Sequence, residues 1–321
     1  MRRVLVTGAS GFVGSTLCES LRAANFQVRA ALRRYRPSLH PDMEAVEVGD
    51  ISGHTGWSSA LSGVDLVVHA AARAHVLGDS AANAGLYIET NARGTERLAE
   101  ACAAAGIRRL VYVSSIKVNG EETARGAYTP DDKPDPQDAY GKSKWLGESL
   151  LKEVASRTGM EVVVVRPPLV YGPGVRANFL RLLRFVEMGL PLPIRSVDNR
   201  RSLVSVWNLC DLIECLLTHP LAPGRSWMVS DGEDLSTPEL VTRMGEAMSR
   251  RTWLVPVPVS ALRWSARLLG REAEIDRLCG SLRVDISRTR SDLGWSPRLS
   301  VEEALSRTVT WYLEGRRAHA L

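Results

Sequence analysis

The sequence is short of several features that would assign a class at once. No apolar run in its 321 residues approaches the roughly 18 needed to span a bilayer, so membrane insertion is not expected. The five cysteines (Cys18, Cys102, Cys210, Cys215, Cys279) are odd in number and lack the paired spacing of a zinc site. They predict free thiols in a reducing compartment and no metal centre. Charge of one sign is not concentrated. The net +5 is modest, and the basic clusters Arg33-Arg34-Tyr35-Arg36, Arg200-Arg201, Arg250-Arg251 and Arg316-Arg317 are scattered without interleaved aromatics. That pattern argues against a nucleic-acid surface and suits a chain whose ligands carry phosphates. There is no internal repeat and no low-complexity tract. The apolar stretch after Met1-Arg2-Arg3 is too short for a signal peptide and runs straight into a glycine motif, so a soluble cytoplasmic protein is expected.

What is present is an ordinary globular composition, 45% hydrophobic and 24% charged, in a chain longer than one average domain. Val4–Val6, Val28–Leu32, Ala45–Val48, Leu66–His69, Leu110–Val113 and Val162–Val165 read as strands, several of them apolar throughout, as strands covered on both faces should be. Phe12–Ala24, Asn91–Ala105 and Ala139–Arg157 carry apolar residues at helical spacing. Such alternation predicts an α/β fold, a doubly wound parallel sheet of the Rossmann kind. After Arg166 the texture changes, with prolines at 167, 168, 173, 191, 193, 220, 223, 256 and 258. Residues 1–166 are therefore expected to form a cofactor domain, and 167–321 mostly a smaller C-terminal substrate domain, with parts of 201–218 returning to the first. Ser236 with Glu239 and Ser300 with Glu303 are helix-start signals.

Thr7-Gly8-Ala9-Ser10-Gly11-Phe12-Val13-Gly14 lies between the first strand and the first helix. Glycines at 8, 11 and 14 permit a tight turn, close approach of a pyrophosphate to the backbone, and close packing of helix on strand. The helix start then offers free N–H groups and the positive end of its dipole. This strand–turn–helix setting makes the motif a dinucleotide site, with Ser10, Phe12 and Val13 beside the glycines. An NAD site usually ends its second strand in an acid. This chain has Leu32-Arg33-Arg34 there, which favours NADP(H), with NAD(H) as the alternative.

The Gly-x-x-Gly-x-x-Gly spacing resembles the extended short-chain dehydrogenase/reductase family, and further motifs carry the likeness along essentially the whole chain. Tyr140-Gly141-Lys142-Ser143-Lys144 matches the family's Tyr-x-x-x-Lys pair, and positions i and i+4 share a helix face. Ser115 precedes Tyr140 by the interval at which the family keeps its catalytic serine. The resemblance implies a triad in which Tyr140 exchanges a proton, Lys144 stabilises its phenolate and Ser115 hydrogen-bonds the reacting oxygen. It also implies that Asp50 and Ile51 contact the adenine. His69-Ala70-Ala71-Ala72 would pass beneath the cofactor, and Asn91 would be chiefly structural. Ser114, Pro167 and Leu169 would flank the nicotinamide. Lys117 and Asn119 would face the sugar, while Asn178, Arg201 and Arg277 would meet the diphosphate.

Within that family the chain resembles the UDP-glucose 4-epimerase group, and in Ser115-Ile116-Lys117-Val118-Asn119-Gly120-Glu121 the 4-epimerase/4-ketoreductase branch of O-antigen and capsule pathways. Ile116 and Lys117 occupy the places where a sugar dehydratase needs an acid and a base, which argues against dehydration. Asn119 stands where a 4-epimerase has a tyrosine. The Arg33-Arg34 ending tilts the expectation toward NADPH-dependent reduction of a UDP-4-keto-6-deoxy-N-acetylhexosamine over UDP-sugar 4-epimerisation with tightly held NAD. A non-catalytic NADP-sensing regulator is a third reading, against which the intact Tyr140 and Lys144 count. Leu98, Ala99, Ala101, Cys102, Leu146, Leu150 and Leu151 exceed what one sheet face should consume. They predict a homodimer through the 91–105 and 139–157 helices.

Overall fold

In the computed structural model, which describes residues 1–34, 43–74, 81–124, 126–268 and 270–318, strands and helices alternate through the first half of the chain. That half runs β1 (Arg3–Thr7), α1 (Phe12–Ala23), β2 (Gln27–Leu32), β3 (Glu44–Glu47), α2 (Ser58–Leu61), β4 (Leu66–His69), α3 (Ala81–Ile88), α4 (Gly94–Ala104), β5 (Arg109–Val113), α5 (Ala139–Thr158) and β6 (Glu161–Arg166). The rest comprises β7 (Leu169–Tyr171), α6 (Ala177–Met188), β8 (Arg201–Ser205), α7 (Val206–Thr218), β9 (Ser226–Met228) and β10 (Asp234–Leu235). Five helices close it: α8 (Thr237–Ala247), α9 (Val259–Leu268), α10 (Glu272–Cys279), α11 (Ser287–Leu293) and α12 (Val301–Ala318).

The main sheet is parallel throughout, in the order β3-β2-β1-β4-β5-β6-β9. Alternate residues of each strand feed opposite cores. Val4 and Val6 pack with Leu17 of α1 and Leu209 of α7, while Leu5 packs with Leu98 of α4 and Leu151 of α5. Both faces are thus covered, which is why these strands read as unbroken apolar runs. The strand order reverses at β1 and β4, so the β-strand ends leading to Gly8 and Ala70 open onto the crevice where such folds bind ligands.

A second sheet, β10-β8-β7, and the helices α6, α8 and α12 share another core around Phe179, Leu183, Met244 and Leu305. The 201–218 stretch divides between the two bodies. Strand β8 joins the small sheet, whereas α7 packs on the large one; beyond that stretch, β9 also returns as the large sheet's seventh strand beside β6. Phe12 and Trp207 pack against both cores and join them. Both helix-start signals are realised as reciprocal caps. Ser236 N donates to Glu239 Oε2 at 2.7 Å, and Ser300 N donates to Glu303 Oε2 at 3.0 Å.

One helix departs from expectation at its start. The span read as Asn91–Ala105 begins with a π-helical turn, Glu89–Arg93, and α4 proper starts at Gly94. The wide turn sets the fully buried Asn91 against the backbone of Arg73, which it holds by both ends of its amide. Gly94 meanwhile packs on Ile51, whose Cγ2 lies 2.5 Å from where a Cβ would stand. The apolar surplus on α4 and α5 is also smaller than it reads. Leu98, Ala99, Cys102 and Leu151 are consumed by the core under the sheet, leaving Ala101, Leu146 and Leu150 half-buried and Trp145 exposed.

Arg109 fastens α7 to the sheet. Its side chain is buried, donating to Glu161 at 2.6 Å and to the carbonyls of Leu216 and His219, the C-terminal end of α7, at 2.8 and 2.9 Å. A cation there also complements the negative end of the helix. Arg109→Met should cost about 2–4 kcal/mol in urea unfolding, because the carbonyls and Glu161 lose their donors together. A loss of only a few tenths would show that α7 is held by apolar packing alone.

Candidate active site

The phosphate loop is built for close approach. Gly8 has φ +69°, and a Cβ there would lie 2.7 Å from the Ala71 nitrogen. A Cβ at Gly14 would run into the Gly8 carbonyl oxygen, which itself accepts from Gly11 N at 2.8 Å. Gly11 caps α1 with no side-chain hydrogen bond, and the first turn holds no acid. The N–H groups of that turn therefore face an anion unopposed, with Ser10 and Gly11 exposed at the tip. The cradle fits a dinucleotide pyrophosphate. Val13 and Phe12 are half-buried, and the Phe12 ring lies 3.4 Å from a Cβ placed at Gly174, closing the loop against the substrate domain.

At the rim, Arg33 and Asp50 meet each other, Nε to Oδ1 at 2.9 Å, both well exposed. Arg34 is exposed as well, and Tyr35 and Arg36 lie outside the described residues. Ile51 is turned toward Gly94. Ala70 and Ala71 are half-buried and Ala72 exposed along the passage beneath the loop.

Beneath this passage runs a chain of buried polar groups, of which only Asn91 was expected to be structural. Ala71 N donates to Thr7 Oγ1 at 3.2 Å, and Thr7 Oγ1 lies 2.6 Å from His69 Nδ1. His69 Nε2 lies 3.0 Å from Thr95 Oγ1, which donates to the Asn91 carbonyl at 2.8 Å. Since the Thr95 proton is spent on Asn91, its oxygen accepts from Nε2–H, and Nδ1 accepts from Thr7. Burial, reinforced by Lys144, pulls the His69 pKa down to about 3, so the ring is neutral, as this chain requires. From Asn91 the line continues through Nδ2 to Ser143 Oγ at 3.0 Å, and Ser143 donates to the Tyr140 carbonyl at 2.7 Å. The phosphate loop and the start of α5 are therefore in one hydrogen-bonded network.

Ser115, Tyr140 and Lys144 come together. Asp138 caps α5 by accepting from Gly141 N at 2.7 Å, which sets Tyr140 in the first turn. The Ser115 side chain faces the Tyr140 phenol. Burial raises that phenol to about 12; Ser115 works in the opposite direction, and Asp138 and Tyr87 add to the rise. Lys144 is buried, donating from Nζ to the Val113 carbonyl at 2.7 Å, with the ammonium 4.0 Å above the Tyr112 ring. Burial pulls its pKa down to about 7 while Glu148 resists. This trio can move a proton to or from a hydroxyl or carbonyl oxygen placed against Ser115.

The other expected site residues separate into occupied and open groups. Ser114 is buried and spends its hydroxyl on Glu148, at 2.6 Å. Lys117 is held by Glu121 at 2.7 Å and Asp138 at 2.5 Å, anchoring the start of α5. Asn119 is buried, its Oδ1 accepting from Arg166 at 3.1 Å and its Nδ2 donating to the Thr129 carbonyl at 3.3 Å. Pro167 is buried and accepts from Ile116 N at 3.0 Å, whereas Leu169 is exposed. Asn178 is exposed in the first turn of α6. Arg201 donates to the carbonyls of Arg277 and Gly280, both at 2.9 Å, which brings it to the end of α10 beside Arg277. Asp276 pairs instead with Arg263 at 3.2 Å. Among the described residues no cluster of His, Cys, Asp or Glu could hold a metal ion, and no helix is long and apolar enough to cross a membrane.

The sequence profile of the NAD dependent epimerase/dehydratase family matches residues 4–229. The chain belongs to that family. Among its family relatives, a UDP-glucose 4-epimerase of Vibrio cholerae is 42% identical over 318 residues, covering 98% of this chain and 96% of that one. An N-acetyl-alpha-D-glucosaminyl-diphospho-ditrans,octacis-undecaprenol 4-epimerase of Escherichia coli O157:H7 is 26% identical, over 96% and 94% of the two chains. The solved structure of MoeE5 in complex with UDP-glucose and NAD superposes with a TM-score of 0.78 at 27% identity, covering 98% of this chain and 99% of that one.

Lys144 gives this epimerase/dehydratase family member a measurable signature. Its pKa falls from an ordinary 10.5 to about 7 on folding, so between those values the unfolded chain binds more protons and stability rises with pH. Lys144→Met removes that penalty. The variant should be more stable than the parent by about 1–2 kcal/mol at pH 7, an advantage that shrinks toward pH ~10, while being inactive. A stability difference that does not change with pH would contradict the buried ammonium.

Proposed function

We propose that this protein is a UDP-sugar 4-epimerase that holds NAD. The observation that carries the reading is the 42% identity, over nearly the full length of both chains, to a UDP-glucose 4-epimerase, in a chain that has Ser115, Tyr140 and Lys144 at the ends of β5 and α5 that face each other. The bound nicotinamide would supply a hydride acceptor and donor next to the trio. Tyr140 takes the proton of the C4 hydroxyl and later returns it, Ser115 holds the same oxygen, and Lys144 keeps the phenolate stable between the two events. Asn178, exposed in the first turn of α6, and Arg201 beside Arg277 at the end of α10 would grip the diphosphate, with Lys117 toward the sugar.

NAD is favoured over NADP by the rim. A 2′-phosphate arriving at Arg33 would meet the Asp50 carboxylate, which already holds that guanidinium at 2.9 Å. Arg34 keeps the reductase reading, NADPH-dependent reduction of a UDP-4-keto sugar, in second place, and isothermal titration with NAD(H) and NADP(H) separates the two. The half-buried Leu146 and Leu150 beside exposed Trp145 support a homodimer through α5 and α4. Light scattering showing a fully active monomer would end that part of the proposal.

The functional test is direct. Purified protein incubated with UDP-glucose, with no reduced cofactor added, should produce UDP-galactose, and Tyr140→Phe should slow this by about 100-fold or more. Turnover only when NADPH and a 4-keto sugar are supplied would replace epimerisation by reduction.

A further inference from the structure

Glu148 stands one helical turn beyond Lys144 on α5, with its side chain 1% exposed. Its carboxylate is fully engaged. Oε1 accepts from Ser114 Oγ at 2.6 Å and from Arg166 Nε at 3.0 Å, and Oε2 accepts from Arg166 Nη2 at 2.6 Å. The remaining arginine nitrogen, Nη1, donates to Asn119 Oδ1 at 3.1 Å, and Asn119 in turn donates to the Thr129 carbonyl. One ion pair thus joins four segments around Tyr140 and Lys144. It ties α5, with Tyr140 and Lys144, to the end of β5 at Ser114-Ser115, to the end of β6 leading into Pro167, and to the loop of Asn119. Burying such a pair costs its hydration, and apolar side chains of similar size would often hold a fold at least as firmly. The pair is therefore poorly explained as a stabiliser.

We propose that Glu148, clamped by Arg166 and Ser114 one turn beyond Lys144, is a positioning residue that pins α5 to the Val113-Ser114-Ser115 segment, whose Val113 carbonyl holds the Lys144 ammonium, and so sets Lys144 and Tyr140 against Ser115. The inference rests on the oxidoreductive reading of the site given above. Among the described residues, the charged or titratable groups that face Lys144 are His69 from β4, which is neutral, the Tyr112 phenol from β5 and Glu148 from its own helix, with Arg166 from β6 behind Glu148 and Tyr140 one turn earlier on α5. Of these, Glu148 favours the charged lysine. Neutralising it should let Lys144 lose its proton at lower pH, and the orphaned Arg166 charge would push the same way.

The test compares kcat, KM and pH profile in the parent, Glu148→Gln, and Glu148→Gln with Arg166→Gln. The single variant strands a buried guanidinium, so its thermal midpoint should fall along with its kcat. The double variant removes both buried charges together, leaving neutral amides beside Ser114, and should recover much of the midpoint. Its kcat should nonetheless stay down by about tenfold or more, with KM for the sugar little changed and the alkaline limb of kcat moved to lower pH. A double variant with parental kcat and an unmoved limb overturns the proposal. If the double variant does not fold, Glu148→Asp decides. It keeps the charge but withdraws it by one methylene, so it should lower kcat and leave the limb near the parental position; a limb displaced as far as in Glu148→Gln overturns the proposal. A parent inactive on every UDP-sugar removes the functional reading itself, whereas an active parent with equally active variants removes only the role of Glu148.

Discussion

Lys144 places a cation in a dry part of the molecule, and much of the surrounding architecture follows from having to tolerate it there. Its ammonium donates to one backbone carbonyl and lies on the face of Tyr112, while the ring of His69 nearby is held neutral by burial and by the lysine itself. Helix α5 can carry the lysine so deep because it has no side chains where it approaches its neighbours. A Cβ on Gly147 would lie 2.5 Å from the Asn91 carbonyl and 2.7 Å from the Tyr112 hydroxyl, and one on Gly141 would lie 2.7 Å from the Lys117 carbonyl. The π-helical turn at Glu89–Arg93 answers the same demand from the other side, presenting Asn91 to both Arg73 and Ser143. Wide turns of this kind recur where a helix must aim a buried group.

The same constraint couples the two halves of the site. The phosphate loop is fixed to β4 through Thr7 and His69, and through Thr95, Asn91 and Ser143 to the first turn of α5. A ligand seated on the glycine loop is thereby held at a set distance from Tyr140 by groups that never touch it. Preorganisation of this sort is what lets a site stabilise charge without rearranging at the moment of reaction.

The phosphate loop, three glycines at a strand–helix turn, and the shared helix face of Tyr140 and Lys144 at i and i+4 were legible as local patterns, with Ser115 joined to them through the family resemblance. The buried polar groups were not, since Glu148, Arg166 and His69 gain their meaning from partners tens of residues away. A glutamate on the buried face of α5, in step with Lys144 and Leu151, was the one available hint. The rim holds a contact that stays hidden in the sequence for a related reason. Arg33 and Arg34 look like free cations in the sequence, and only the β2–β3 register carries Asp50 to Arg33. Likewise Leu98, Ala99 and Cys102 read as surplus on α4 because the close packing of α5, permitted by Gly147, could not be foreseen.

Oxidation and reduction at the same carbon, with the hydrogen kept in the site, distinguish an epimerase from a reductase built on the same trio. UDP-glucose carrying deuterium at C4 addresses that difference without depending on which cofactor is bound. In water containing only ordinary hydrogen, the UDP-galactose formed should retain the deuterium at C4 by mass spectrometry, with no net consumption of any reduced cofactor. Product that has lost the label, or none formed until NADPH and a 4-keto sugar are added, would contradict epimerisation.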